Sequence, residues 1–271
     1  MTAADIDPIT ATFIRNDWGD RRLNLEFVAS HPKTHPIVAE ADGAVVGTGV
    51  LSVHGPVAWI GTIFVEPAWR RRGIGMAITR ATIETADAAG CRTLVLVATE
   101  AGRPMYERLG FEVQTAYRVL LAPGLPATAA VDPRVRAYRA SDLPAMTALD
   151  AAVTGEDRGH LLRAFAAPDS TRVVDDGSGG VGGFVVRAPW GGGATIAPDP
   201  DDALAILRAR RVAAGPDHPV RAGVLAENEA GLALLLADGW TESWHAPRLV
   251  RGDPLRWQPD AIWGQFNHAF G

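Results

Sequence analysis

Arg70-Arg71-Arg72-Gly73-Ile74-Gly75 runs directly into the helical pattern Met76–Ala89, with Ile74, Ala77, Ile78, Ala81 and Ala88 along one side. A glycine-rich turn at the head of a helix leaves several backbone N–H groups unpaired, and these can converge on one anion. The arginines add cationic forks suited to phosphate. Alone, such a run is ordinarily a solvated basic face. The adjoining Gly-x-Gly at a helix start makes it a phosphate cradle, with Arg71 the one most free to face solvent. Upstream, Trp59–Val65 reads as a buried strand closed by Glu66-Pro67. The unit is strand, basic glycine turn, helix.

Working outward, residues Asp17–Ser30 read as a helix with a partly apolar face. Ile37–Glu40 and Val45–Val53 flank Asp42-Gly43, a hairpin signal. Gly90 ends the cradle helix, and Thr93–Ala98 forms a short apolar strand. Glu100–Leu109 is a short helix stopped by Gly110, and Phe111–Leu121 returns as a strand. This order predicts an α/β domain on a mixed sheet.

Ala122–Pro133, with Pro123-Gly124-Leu125-Pro126, reads as a linker. A strand at Val135–Arg139 and a helix from Leu143 open a second half that repeats the first. Asp176-Gly177 sits in a hairpin as Asp42-Gly43 does, and Val46-Gly47 is echoed by Val181-Gly182. At a constant offset of 129, Glu100-Ala101-Gly102 recurs as Glu229-Ala230-Gly231, and Gly110-Phe111 as Gly239-Trp240. Two copies of one fold explain this set. The copies diverge between strand Ala194–Ala197 and helix Ala203–Val212. There Pro198-Asp199-Pro200-Asp201-Asp202 has aspartates and no glycine, and Leu235 stands where the first half has Tyr106. Aspartates favour the helix start itself and would repel a pyrophosphate.

These residues carry a family pattern. Arg70–Gly75 resembles the Arg/Gln-x-x-Gly-x-Gly/Ala signature of the GNAT superfamily of acyl-CoA-dependent N-acyltransferases, with Val65-Glu66-Pro67 ahead of it. Tyr106-Glu107-Arg108-Leu109-Gly110-Phe111 resembles that family's Tyr-x-x-Leu-Gly-Phe segment. The resemblance covers residues 10–120; the remainder looks like the degenerate second domain of some two-domain members. It implies tandem GNAT-like folds: a catalytic domain at 1–121, a linker at 122–133, and a domain without the pyrophosphate loop at 134–271. It also implies acetyl-CoA as co-substrate; no metal is expected, since His31 and His35 lack the spacing of a helical metal pair and no carboxylate or cysteine cluster supports a zinc site. Arg70, Arg71, Arg72, Gly73, Ile74, Gly75 and Met76 would form the coenzyme A site, the N–H groups of 71–76 holding its pyrophosphate. Phe64 and Val65 would meet the pantetheine arm and the thioester carbonyl. Thr99 and Gly102 complete the set, where many members have Asn and Ala. Tyr106 would protonate the departing thiolate. The glutamate that some members use as base falls near Trp59.

The chemistry asks for little more. An amine attacks the thioester, passes through an oxyanion, and expels the thiolate. The N–H of Val65 can serve the oxyanion and Tyr106 the thiolate. Candidate bases are Asp17, Glu26, His31, His35, His54 and Glu66, or a water that one of them holds. A silent acyl-CoA sensor would keep the cradle and have no use for Tyr106. The aromatic tail Trp257–Gly271 either packs the second domain or walls the acceptor site.

The net charge of −5 argues against nucleic acid, and no aromatic stacking run accompanies the arginines. The second half's acidity leans towards a small cationic amine, with a peptide amine the other acceptor class. The chain would act as a monomer or homodimer. Cys91 is the single cysteine, so no disulfide forms within the chain, and it reads as buried packing. No basic n-region precedes an apolar h-region, and no apolar run reaches the roughly 20 residues of a membrane span. The expectation is a soluble cytoplasmic protein without a membrane partner.

Overall fold

The structure, a computed structural model, describes Met1–Gly271. It opens with α1 (Ile6–Arg15), α2 (Arg22–Ser30), β1 (Thr34–Ala41), β2 (Ala44–His54), β3 (Val57–Val65), α3 (Ile74–Ala88), β4 (Thr93–Val97) and α4 (Arg103–Glu107). Then follow β5 (Glu112–Ala122), β6 (Val135–Ala137), α5 (Leu143–Thr154), α6 (Gly159–Phe165), β7 (Thr171–Asp175), β8 (Val181–Arg187) and β9 (Gly193–Ile196). The last elements are α7 (Pro200–Ala214), β10 (Val220–Leu225), α8 (Glu229–Ala237), β11 (Thr241–Gly252) and β12 (Ile262–Gly264). The fold is mixed α/β, as the element order implies.

The chain divides into two compact units. The first holds Met1–Glu112, Leu249–Pro254 and Asn267–Gly271; the second holds Val113–Arg248 and Leu255–Phe266. In the first, β1, β2 and β3 are antiparallel neighbours, and β4 joins β3 in parallel. The end of β11 lies beside β4: Asp253 donates its N–H to the Arg92 carbonyl at 2.9 Å, and Thr93 Oγ1 donates to the Asp253 carbonyl at 2.8 Å. The β1–β2 turn is Asp42-Gly43 with φ of 51° and 75°, the two left-handed residues of a tight hairpin.

Two apolar clusters hold this unit. Ile60, Leu94 and Leu96 pack with Ile83 and Ala86 of α3 and with Tyr106 and Phe111. Ile6, Ile9 and Phe13 of α1 pack with Leu25 of α2 and Phe64 of β3. Helix α1 is absent from the sequence reading, although Ile6, Ile9 and Phe13 stand at helical spacings of three and four. The expected helix over 17–30 is corrected as well. It begins at Arg22, because Asp17 and Gly19 take φ of 60° and 73°, and the Asp20 carboxylate accepts the Arg22 N–H at 2.8 Å.

The second unit repeats the pattern. Strands β6, β7, β8 and β9 are consecutive antiparallel neighbours, and α7 and α8 stand where α3 and α4 stand in the first. The helix-ending turns match in detail. Phe111 donates to the Tyr106 carbonyl at 3.2 Å, and Trp240 to the Leu235 carbonyl at 3.0 Å, each just after a glycine with φ of 82° or 84°. One echo moves by a residue: the counterpart of Gly47 is Gly183, not Gly182. A Cβ on Gly47 would meet the Phe64 carbonyl at 3.0 Å and Ile78 at 2.8 Å. On Gly183 it would meet the Ile196 carbonyl at 3.0 Å and Ile206 at 3.2 Å.

Candidate active site

Strands β3 and β4 pair only at Val57–Thr93, Ala58–Leu94 and Trp59–Val95. Beyond Trp59 they part, and β3 runs on to Val65 with its β4-facing edge unpaired. A bulge accompanies the parting. Thr48–Val50 on β2 faces Phe64–Gly61 on β3, one residue more, and Thr62 takes φ 53°. A β-branched residue resists this conformation, by about 1–2 kcal/mol, so the surrounding pairing imposes it. Thr48 Oγ1 donates to the Thr62 carbonyl at 2.9 Å and holds it there.

Alternation along β3 then fixes which groups face the opening. Glu66 donates its N–H to Val46 on β2 at 2.9 Å, so the N–H and C=O of Val65 point away from β2. The Val65 carbonyl accepts from Arg70 Nε at 3.0 Å, which leaves its N–H on the open edge. Phe64 faces the other way. Its carbonyl points to β2, and its ring packs edge-on against Phe13 and Trp18, with centroids 5.2 Å away in each case. Of the two β3 residues singled out from sequence, Val65 reaches the opening and Phe64 supports it from the core.

The turn after β3 leaves a run of backbone N–H groups without partners. A short 3₁₀ turn at Pro67–Trp69 leads to Arg71 with φ 65° and Gly73 with φ 83°, and α3 starts at Ile74 with no side-chain cap. The first α3-type bond after the turn is Ala77 N–H to the Gly73 carbonyl, at 3.0 Å. The N–H groups of Arg71, Arg72, Gly73, Ile74, Gly75 and Met76 make no backbone hydrogen bond. Arg70, Arg71 and Arg72 are exposed, and none is ion-paired; Arg72 lies over the Trp69 ring at 4.7 Å. Ile74 and Ile78 pack on Gly47, which seats the helix start against β2.

Helix α4 brings Tyr106 to the β4 side. Tyr106 is 8% exposed, and its ring meets Phe111 edge-on at 6.1 Å. Burial pushes its hydroxyl pKa up to about 12, and no protein group hydrogen-bonds to that hydroxyl. Thr99 Oγ1 accepts the Gly102 N–H at 3.1 Å at the start of α4. A Cβ at Gly102 would lie 3.3 Å from Thr99 Oγ1 and 3.4 Å from the Tyr106 ring; glycine keeps that contact open.

The candidate bases scatter. Asp17 and Glu26 are exposed, and His54 is fully buried on β2. His31 stacks on Phe27 at 4.8 Å, accepts the Lys33 N–H through Nδ1 at 3.2 Å, and has its pKa lowered by burial and then by Lys33. Glu66 stands 3.9 Å from Arg15. His35 lies on β1 opposite Leu51. Trp59 is buried beneath Gly271, and residues 267–271 lie on β3. A Cβ at Gly61 would fall 2.5 Å from Ala269 Cβ and 2.7 Å from the His268 carbonyl. The other tail aromatics part company: Trp263 belongs to the second unit's core, Phe266 packs on Phe165, and Phe270 meets Phe27 at 5.7 Å.

In the second unit the corresponding turn is closed. Asp199 caps α7 by accepting the Asp201 N–H at 2.8 Å, and Asp202 pairs with Arg134 at 2.7 Å. The helix start that the first unit leaves open is satisfied here by its own carboxylate.

A strand that splays at a bulge lies beside a helix start with six unbonded N–H groups, and both fall within residues that match a known family. Residues 4–111 match the acetyltransferase (GNAT) family profile, and residues 146–264 match a second GNAT acetyltransferase domain profile. The chain is a two-domain member of the GNAT acetyltransferase family, whose members transfer acyl groups from coenzyme A. It is similar to an uncharacterized N-acetyltransferase, YitH, of Bacillus subtilis: 29% identical over 235 residues, 84% of this chain and 82% of that protein. The fold is shared with a candidate acetyltransferase from Pyrococcus horikoshii (TM-score 0.83, 21% identity, 100% of this chain and 94% of that one). It is shared too with a tandem GNAT protein of the clavulanic acid biosynthesis pathway (TM-score 0.60, 15% identity, 93% and 96%). No helix is long and apolar enough to cross a membrane.

Proposed function

We propose that the first unit transfers an acetyl group from acetyl-CoA to a primary amine of a small molecule or peptide, by direct attack in a ternary complex. The observation that carries this reading is the run of six unbonded N–H groups at Arg71–Met76, next to the opened edge of β3. The pyrophosphate would take those N–H groups, with Arg70–Arg72 adding charge. The pantetheine arm would then lie in the β3–β4 opening, with the thioester at the bulge.

The amine nitrogen bonds to the thioester carbonyl carbon, and the oxygen takes up the charge. The Val65 N–H, fixed on the open edge, donates to that oxyanion. As the intermediate collapses the C–S bond breaks, and the sulfur takes its hydrogen bond from Tyr106. The amine's surplus proton leaves to water. Neutral at ordinary pH, Tyr106 is always a donor. The tail residues 267–271, seated on Gly61 one residue before the bulge, would form a wall of the acceptor side and favour a slender amine.

The test is thiol release from acetyl-CoA with a panel of small amines and peptides. Amine-dependent release, with acetylated amine found by mass spectrometry, supports the reading. Tight acetyl-CoA binding without amine-dependent release from any acceptor contradicts it.

A further inference from the structure

The second unit has the same two strands, and here they do not pair. β9 is paired with β8 and β10 with β5, and β9 and β10 share no pairing, so the cleft has opened along its whole length. It is not empty. β12 lies in it, antiparallel to β9 with Ile262 opposite Ile196 and Gly264 opposite Thr195, and packs along β10. The flanking backbone continues the ladder: Gly193 donates its N–H to Gln265 at 2.8 Å, and Ala197 donates to Ala261 at 3.0 Å.

Two side chains complete the fit. Asn228 stands 129 residues after Thr99, at the start of α8. Its Oδ1 accepts the Gly231 N–H at 2.8 Å, and its Nδ2 donates to the Asp260 carbonyl at 2.8 Å. Thr99 has only the first of these bonds. Trp263 is fully buried among Val224, Leu235 and Trp240 and donates Nε1–H to the Ala197 carbonyl at 3.0 Å. It shares that core with Leu235, which stands at the position Tyr106 holds in the first unit.

We infer that residues 259–265 are a built-in occupant of the second acyl-CoA cleft, so that the chain binds one acyl-CoA, in the first unit only. The segment offers what an amide-bearing pantetheine arm would offer: backbone carbonyls to β9, a carbonyl to Asn228, and apolar bulk at the cleft floor. An exogenous ligand would have to displace a strand bonded along its length and a buried tryptophan. It would then face Asp199, Asp201 and Asp202 where its pyrophosphate should sit. This rests on the reading of the first β3–β4 opening as an acyl-CoA site, so the test separates the two.

Amide hydrogen exchange on the full chain, with and without saturating coenzyme A, together with a calorimetric titration, decides it. In the ligand-free protein the amides of Gly193 and Ala197 should exchange roughly a thousandfold or more slowly than free amides, as closed ladder groups do. Exchange at the free-amide rate would mean an unfilled slot and would overturn the proposal whether or not coenzyme A binds. With coenzyme A, one equivalent should bind, slowing exchange at 71–76 and leaving 193–197 and 220–225 unchanged. Two equivalents per chain, or a change at 193–197, would overturn it. Protected Gly193 and Ala197 with no effect at 71–76 would instead sustain the filled slot and remove the first-unit assignment.

Discussion

Replacing Tyr106 by Phe separates catalysis from binding more cleanly than any other single change. The hydroxyl has no protein partner, and the ring keeps its edge contact with Phe111 at 6.1 Å, so Phe strands no polar group. Fold stability should hold to within about 0.5 kcal/mol. The catalytic cost follows from the acid's strength. Burial holds the hydroxyl at about 12, whereas a thiol ordinarily titrates near 8.5, so complete proton transfer to a free thiolate would run uphill by about 5 kcal/mol. Desolvation in the same pocket raises the thiolate's own basicity and narrows the gap. Tyr106 therefore acts chiefly as a hydrogen-bond donor to the sulfur as it gains charge. Such a bond to a charged group is worth about 1.5–3 kcal/mol, or roughly 10–150-fold in rate. Single-turnover thiol release should fall by that factor in Tyr106→Phe, with acetyl-CoA affinity and melting temperature nearly unchanged. The pH dependence has a definite sign. The protonated donor is lost only as pH rises through about 12, so no alkaline decline below pH ~11 belongs to Tyr106. An unchanged single-turnover rate would refute the role. So would an alkaline limb near pH 9 that vanishes in the Phe variant.

Gly61→Val should push residues 267–271 off β3, since even its Cβ falls 2.5 Å from Ala269. We expect a loss of about 1–3 kcal/mol in stability and a changed acceptor KM, with acetyl-CoA affinity held; steady-state kinetics with two amines of different girth would show it. Coenzyme A affinity should weaken steadily with added salt, because Arg70, Arg71 and Arg72 are exposed and screened, and titrations at two ionic strengths check this. Asp150→Ala leaves Arg158, which is 3% exposed and bonded to Asp150 at 2.5 and 3.0 Å, without its partner in the second unit's core. A loss of about 3–5 kcal/mol in denaturant unfolding is expected; a near-neutral result would mean that water reaches the pair.

Much of the cradle was legible in the chain because local chemistry dictates it. Gly73 adopts the left-handed conformation that glycine takes without cost, and Asp42-Gly43 turns as such pairs do. The repeat was legible through Gly110-Phe111 and Gly239-Trp240, whose glycines end helices in the same geometry. Thr62 was not legible: its left-handed backbone opposes its own β-branched preference and comes from the bulged register between β3 and β2. Nor was the partner choice of strands. Alternating apolar residues announce a strand, but nothing in Ile262–Gly264 says that it fills a cleft, or in Leu249–Pro254 that it joins the first unit. Helix α1 was missed for a different reason. Its apolar positions lie among threonines and aspartates around Pro8, which mask the helical period.

The central claim is that Arg71–Met76 holds the pyrophosphate of coenzyme A, and Gly75→Asp tests it most directly. A Cβ at Gly75 meets only Met105 at 3.5 Å and Val65 at 3.6 Å, ordinary contacts, so the free protein tolerates a side chain there. The carboxylate would bring negative charge among the N–H groups meant for phosphate. Calorimetric titration of coenzyme A should show saturable binding to the native protein and none detectable to a folded Gly75→Asp variant. Equal affinity in the two would contradict the account.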